Sequence, residues 1–97
     1  MIEFLKMHGL GNDFVVFDWR QHPGRHLASA AAQLLADRRQ GVGCDQLLVI
    51  RSAEDADIAI EILNQDGSPS SACGNGMRCV ADLVMRDSGQ KEISIQT

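Results

Sequence analysis

The chain has 97 residues, 44% of them hydrophobic and 23% charged, with a formal net charge of −4, which suits one small domain with a modest core. Nine Lys and Arg residues lie scattered among thirteen Asp and Glu, so there is no basic footprint for nucleic acid or an anionic membrane. No apolar run approaches the ~20 residues of a transmembrane helix, and the opening MIEFLKMHG has neither the apolar stretch nor the cleavage site of a signal peptide; the expected compartment is the cytoplasm.

Residues 2–8 partly alternate and predict a first strand. Gly9 to Asp13 reads as a turn, and Phe14 to Asp18, apolar and β-prone, as a second strand. After the Pro23-Gly24 loop, Leu27 to Arg39 is alanine-rich, with apolar positions 27, 30, 31, 34 and 35. That pattern predicts a helix with one buried face, with Arg38 and Arg39 at its C-terminal dipole and Gly41 and Gly43 ending it. Gln46 to Ile50 reads as a buried strand. Ile58, Ile60 and Ile62 alternate with other residues, which predicts an antiparallel partner strand. Asn64 to Pro69 is a turn cluster. Met77 to about Asp87 is a second helix. The final EISIQT reads as a strand that stops at the last residue, so the chain is expected to be a fragment of a longer protein.

In the second helix Arg78, Asp82 and Arg86 recur every four residues as one narrow polar stripe, and apolar residues cover the rest. Such a helix must be largely surrounded. Two architectures satisfy that pattern: a curved sheet wrapped around the helix, or a two-layer α+β sandwich.

Leading into this helix is ACGNGMRC, residues 72–79, with Cys73 just before its start. The glycines and Asn75 give the backbone freedom to aim several N–H groups at one spot. A helix N-terminus there would offer unsatisfied donors and a partial positive charge. A carboxylate could dock on the N–H groups of Gly74 and Asn75, and the Cys73 thiol would be acidified. An anion site beside a thiolate suits chemistry at the carbon next to a carboxylate. The competing readings for a cysteine are a small buried hydrophobe, which fits Cys79 and Cys44 better than Cys73, and a metal ligand, for which no recognisable four-ligand spacing exists. Free thiols are the default for three cysteines in a reducing compartment. HGLGND lacks the third glycine of a dinucleotide fingerprint, and His22 and His26 read as exposed loop residues.

Three blocks taken together, KMHGLGNDFVVFD at 6–18, GVGCDQLLVI at 41–50 and NQDGSPSSACGNGMRC at 64–79, closely resemble the N-terminal half of diaminopimelate epimerase. The resemblance implies interconversion of LL- and meso-2,6-diaminopimelate, a small-molecule substrate, on the route to lysine and peptidoglycan, without pyridoxal phosphate, metal or any other cofactor. It implies an α/β (α+β) fold of two pseudo-symmetric halves, each a curved, mostly antiparallel sheet wrapped around a central helix, and a homodimer as the whole protein. Cys73 matches one of the family's two catalytic cysteines, which exchange the α-proton from opposite faces. Asn12, Gln46, Asn64, Gly74 and Asn75 match substrate-binding positions. Without the resemblance, the three loop amides would pass for turn or cap residues.

The second catalytic cysteine belongs to the family's C-terminal half, and neither Cys44 nor Cys79 matches it. Residues 1–97 are therefore expected to be an N-terminal epimerase domain cut within its last strand, lacking the C-terminal domain and inactive without it. Other readings remain open at this point. They are a cysteine-based proline-type racemase on the same fold, a non-catalytic amino-acid-binding module, and a thiol redox or metal module.

Overall fold

The computed structural model describes residues 4–9, 11–70 and 74–96. In chain order it contains β1 (Leu5–Gly9), β2 (Asn12–Asp18), α1 (Ser29–Ala36), β3 (Gln46–Arg51), β4 (Ile58–Asn64), α2 (Gly74–Ser88) and β5 (Ile95–Gln96). The strands form one open sheet in the order β1-β2-β3-β4-β5. β1–β2 and β3–β4 are antiparallel. β2–β3 and β4–β5 are parallel, and each parallel step is bridged by a helix.

Those two bridges decide where the helices go. A strand–helix–strand crossover is right-handed in nearly all folds. Both crossovers here advance the same way across the sheet, but β4 runs opposite to β2. Crossovers of one hand must then put α1 and α2 on opposite faces. The core divides accordingly. On the front face Phe14, Val16, Leu48, Ile50, Ile60 and Ile62 pack with Cys79, Val80 and Val84 of α2. On the back face Val15, Phe17, Leu47 and Val49 pack with Ala32 and Ala36 of α1. β2 and β3 are thus covered on both sides, which explains their unbroken runs FVVF and LLVI.

All five strands give α2 its seat: Met7, Phe14, Leu48, Ile60 and Ile95, one from each, lie in its cluster. The predicted stripe of Arg78, Asp82 and Arg86 is exposed. Val80 is fully buried, a contribution of roughly 1.5–3 kcal/mol. The fold is the expected mixed α+β arrangement of a sheet packed about one helix, with α1 as an added layer.

Several boundaries differ from expectation: Asn12 and Asp13, expected in a turn, pair with Gly9 and His8 and open β2, and α1 begins at Ser29, two residues after Leu27. α1 ends at Ala36, short of Arg39, because the Asp37 carboxylate accepts the N–H groups of Arg39 (2.7 Å) and Gln40 (3.1 Å), a local bond that competes with the helix. Arg38 and Arg39 therefore follow α1 and are not part of its last turn. α2 starts at Gly74, three residues before Met77, since two glycines of low helix propensity conceal its first turn. β5 is two residues long, preceded by mutual bonds between Ser94 and Asp57 at 2.8 Å. No described helix is long and apolar enough to cross a membrane.

The turn after β4 is fixed against the start of α1. Gly67 has φ +84°, and a Cβ there would stand 2.4 Å from the Ser29 carbonyl oxygen. Gly89 has φ +76°, and a Cβ there would meet nothing within 4 Å. Gly89→Ala is expected to cost about 1–2 kcal/mol from backbone conformation alone. Gly67→Ala adds a backbone clash and should cost clearly more in urea unfolding of the intact protein. Equal losses would show that the Ser29–Gly67 approach does not constrain the turn.

Candidate functional site

Side chains alternate between faces along a strand. Asn12 therefore shares the front face with Phe14 and Val16, Gln46 with Leu48 and Ile50, and Asn64 with Ile62 and Ile60. The register sets Phe14 beside Gln46 and Gln46 beside Asn64. The three amides predicted as binding residues thus stand at one end of the sheet, on the face that carries α2.

The first turn of α2 reaches the same end. Gly76 is buried, and a Cβ there would stand 3.1 Å from Leu48 Cδ1 and 3.4 Å from Phe14 Cε1. A glycine lets the helix rest directly on the residues next to Asn12 and Gln46. Cys79 Sγ points to the His8 carbonyl at 3.7 Å, further fixing this turn. The N–H groups of a helix's first turn, here those of Gly74 and Asn75, have no partner within the helix. Gly74 is exposed and Asn75 half-buried. Cys73 immediately precedes this turn in the sequence and lies outside the described residues.

The amides differ in what they have left to offer. Gln46 Nε2 donates to Ser70 Oγ (3.2 Å) and Asn64 Oδ1 (3.4 Å), and Asn64 Nδ2 donates to Ser68 Oγ (3.2 Å). Gln46 Oε1 accepts no hydrogen bond from a described residue, which suits an ammonium group. The side chains of Asn12 and Asn75 make no hydrogen bond among the described residues. Ser68 and Ser70, which orient the pair Gln46–Asn64, were not singled out from the sequence; a turn-rich stretch carries no signal for that role. The main chain holds this turn as well, through Asn64 N–H to Ser68 O at 2.8 Å and Ser70 N–H to Ile62 O at 2.8 Å.

Behind the row, on the back face, four charged residues meet that the sequence reading also missed. Arg38 forks onto both carboxylate oxygens of Asp13 at 2.9 Å and reaches Asp45 Oδ1 at 3.2 Å. Lys6 Nζ lies 3.0 Å from Asp13 Oδ2 and also donates to the Gly43 carbonyl. The two aspartates bond each other's backbone: Asp45 N–H to Asp13 Oδ1 at 2.9 Å and Asp13 N–H to Asp45 Oδ2 at 3.0 Å. The Arg38 guanidinium, helped by Lys6 and the Asp45 N–H, holds the Asp13 carboxyl well below the usual carboxylate range.

Cys44 is fully buried in the back-face core, and burial pushes its thiol up. Its carbonyl accepts Gln65 Nε2 at 3.0 Å. Cys79 belongs to the front-face core. Both pack as small hydrophobes. His22 and His26 are exposed, as expected.

The architecture is that of a solved structure. A Bacillus anthracis phenazine biosynthesis protein of the PhzF family superposes with a TM-score of 0.58 over 99% of this chain and 31% of its own, at 21% identity. At that identity the likeness speaks for the fold. The sequence is more specific: the family model described as diaminopimelate epimerase matches residues 4–97, and the chain belongs to that family. It is 54% identical over 94 residues to the diaminopimelate epimerase of Acidiphilium cryptum, covering 97% of this chain and 34% of that protein. The corresponding protein of Rhodospirillum centenum is 54% identical over 96 residues, covering 97% and 33%. That of Pelagibacter ubique is 47% identical over 96 residues, covering 99% and 34%. The chain spans about a third of the length of the relatives it matches.

Asp13 makes stability depend on pH in one direction. Its folded pKa is depressed, so its contribution is complete above the unfolded value of about 3.9 and is lost as pH falls through the folded one. The stability advantage of the parent over Asp13→Asn should be flat from neutral pH down to about pH 5 and shrink below about pH 4. Urea unfolding across that range measures it, and an advantage that grows on acidification would contradict the assignment.

Proposed function

We propose that this chain is the N-terminal part of a diaminopimelate epimerase and supplies one face of a two-thiol site that works without a cofactor. The observation that carries the reading is the convergence of Asn12, Gln46 and Asn64, on one face and at one end of the sheet, beside the helix turn that directly follows Cys73. Membership of the family supports it.

In this reading the N–H groups of Gly74 and Asn75 take the α-carboxylate and stabilise the charge that develops as the α-proton leaves. The neutral amides hold ammonium and carboxylate groups, donating to one and accepting from the other. Cys73 is the thiolate or thiol on one face of the α-carbon. One thiolate takes the α-proton while a thiol opposite delivers another, so one proton leaves, one arrives and the configuration inverts. The helix start lowers the pKa of a cysteine placed there. The opposing thiol comes from outside this chain, because Cys44 and Cys79 pack in the two cores. Residues 1–97 by themselves are therefore inactive. The whole protein is a cytoplasmic homodimer in the same proposal.

Solvent-deuterium incorporation at the α-carbon of LL-diaminopimelate tests this. An intact protein of the relatives' length that carries this chain should exchange when reduced, while its Cys73→Ala variant and the 97-residue chain should not. Cys73→Ala should lower the rate by at least ~10³-fold, as loss of a residue that transfers the proton. A folded, reduced parent that incorporates no deuterium would remove the substrate assignment and favour a racemase of another amino acid or a binding module.

A further inference from the structure

The charged group on the back face lies one residue from the amide row on each of two strands. Asp13 follows Asn12, and Asp45 precedes Gln46. β2 and β3 start their parallel pairing here, with Phe14 beside Gln46. The Asp13–Asp45 exchange, at 2.9 and 3.0 Å, is an extra rung placed where the register begins. A slip of one residue between β2 and β3 would put Asn12 and Gln46 on opposite faces of the sheet.

Two carboxylates at this spacing repel unless a cation lies between them; Arg38 contacts both, and Lys6 adds a second positive charge at Asp13. The Arg38 side chain is 54% exposed. Exposed ion pairs of this kind add little net stability. What a planar fork gives instead is direction, two parallel bonds that fix the plane of the Asp13 carboxylate. Arg38 is free to do this because the Asp37 turn ends α1 one residue earlier.

We propose that Arg38, through Asp13 and Asp45, is a positioning residue that holds Asn12 and Gln46 in the orientation the candidate site requires. The role in binding rests on the proposed function; the effect on the two amides does not. Arg38 touches no substrate, since it stands behind the sheet. Its loss acts on ground state and transition state alike, so it should raise KM and spare kcat.

The test compares Arg38→Lys with Arg20→Lys in the intact protein. Arg20 makes the same kind of fork, to Asp18 at 2.8 and 2.6 Å, but at the far end of β2. Lysine keeps the charge and loses the fork in both. Arg38→Lys should raise KM for diaminopimelate about tenfold with kcat within about twofold. It should also shift the NMR side-chain amide signals of Asn12 and Gln46. Arg20→Lys should change neither, and both variants should melt within a few degrees of the parent. Asp45→Asn, which keeps an acceptor for the Asp13 N–H, should show a smaller rise of the same kind. If the parent does not act on diaminopimelate, the proposed function fails, while the amide signals still decide the positioning role. Amide signals in Arg38→Lys that match those in Arg20→Lys would overturn it.

Discussion

The candidate site depends on one close approach, that of the first turn of α2 to the sheet. Gly76 sits against Leu48 and Phe14 where a larger residue would need room. That contact brings the first turn of α2 to the end of the sheet that carries Asn12 and Gln46. Polar donors that would be scattered on separate loops become one surface. The rest of the fold can be understood as support for this approach. The front-face core seats α2 along its length. The back-face charges and the turn at 64–70 hold the strand ends from behind and from the side.

The support is asymmetric, and chain topology explains why. α1 covers β2 and β3 from behind, and the residue two past its end, Arg38, reaches the starts of both strands. α2 covers the front, and its own start belongs to the candidate site. Two crossovers of one hand on strands of opposite direction thus bring the end of one helix to the back of this end of the sheet and the start of the other to its front. Part of the polar groups at this end is held by neighbours, the Gln46 and Asn64 amide nitrogens by serines in front and the Asp13 and Asp45 carboxylates by cations behind.

Much of this was legible in the sequence. The strands around FVVF, LLVI and the alternating isoleucines announced themselves by composition and period. The exposed stripe of Arg78, Asp82 and Arg86 emerged from a spacing of four. Other features require register or competition between local bonds, which no window of sequence contains. That Asn12, Gln46 and Asn64 share a face follows only once Phe14, Gln46 and Asn64 are aligned across three strands. The early stop of α1 comes from a single aspartate outcompeting a favourable helical run. Gly76, which brings α2 close to the sheet, is one of the two glycines that hid its start. The charged group failed to stand out because its members come from four separate stretches, each unremarkable alone.

The order of strands in the sheet is the order of strands in the chain. A polypeptide leaving the ribosome can therefore add each strand to the one just made, with no early segment waiting for a late one to pair with it. The β1–β2 and β3–β4 pairs close over short turns, whereas the parallel pairs join residues far apart in the chain, Phe14 to Gln46 and Ile58 to Ile95, and form more slowly. The exception is the front face of β2 and β3, which stays uncovered until α2 emerges. Its apolar residues Phe14, Val16, Leu48 and Ile50 are the surface most exposed to misassociation during synthesis. The event that buries them is the same one that brings the helix start to the amide row, so completion of the core and assembly of the site are a single step.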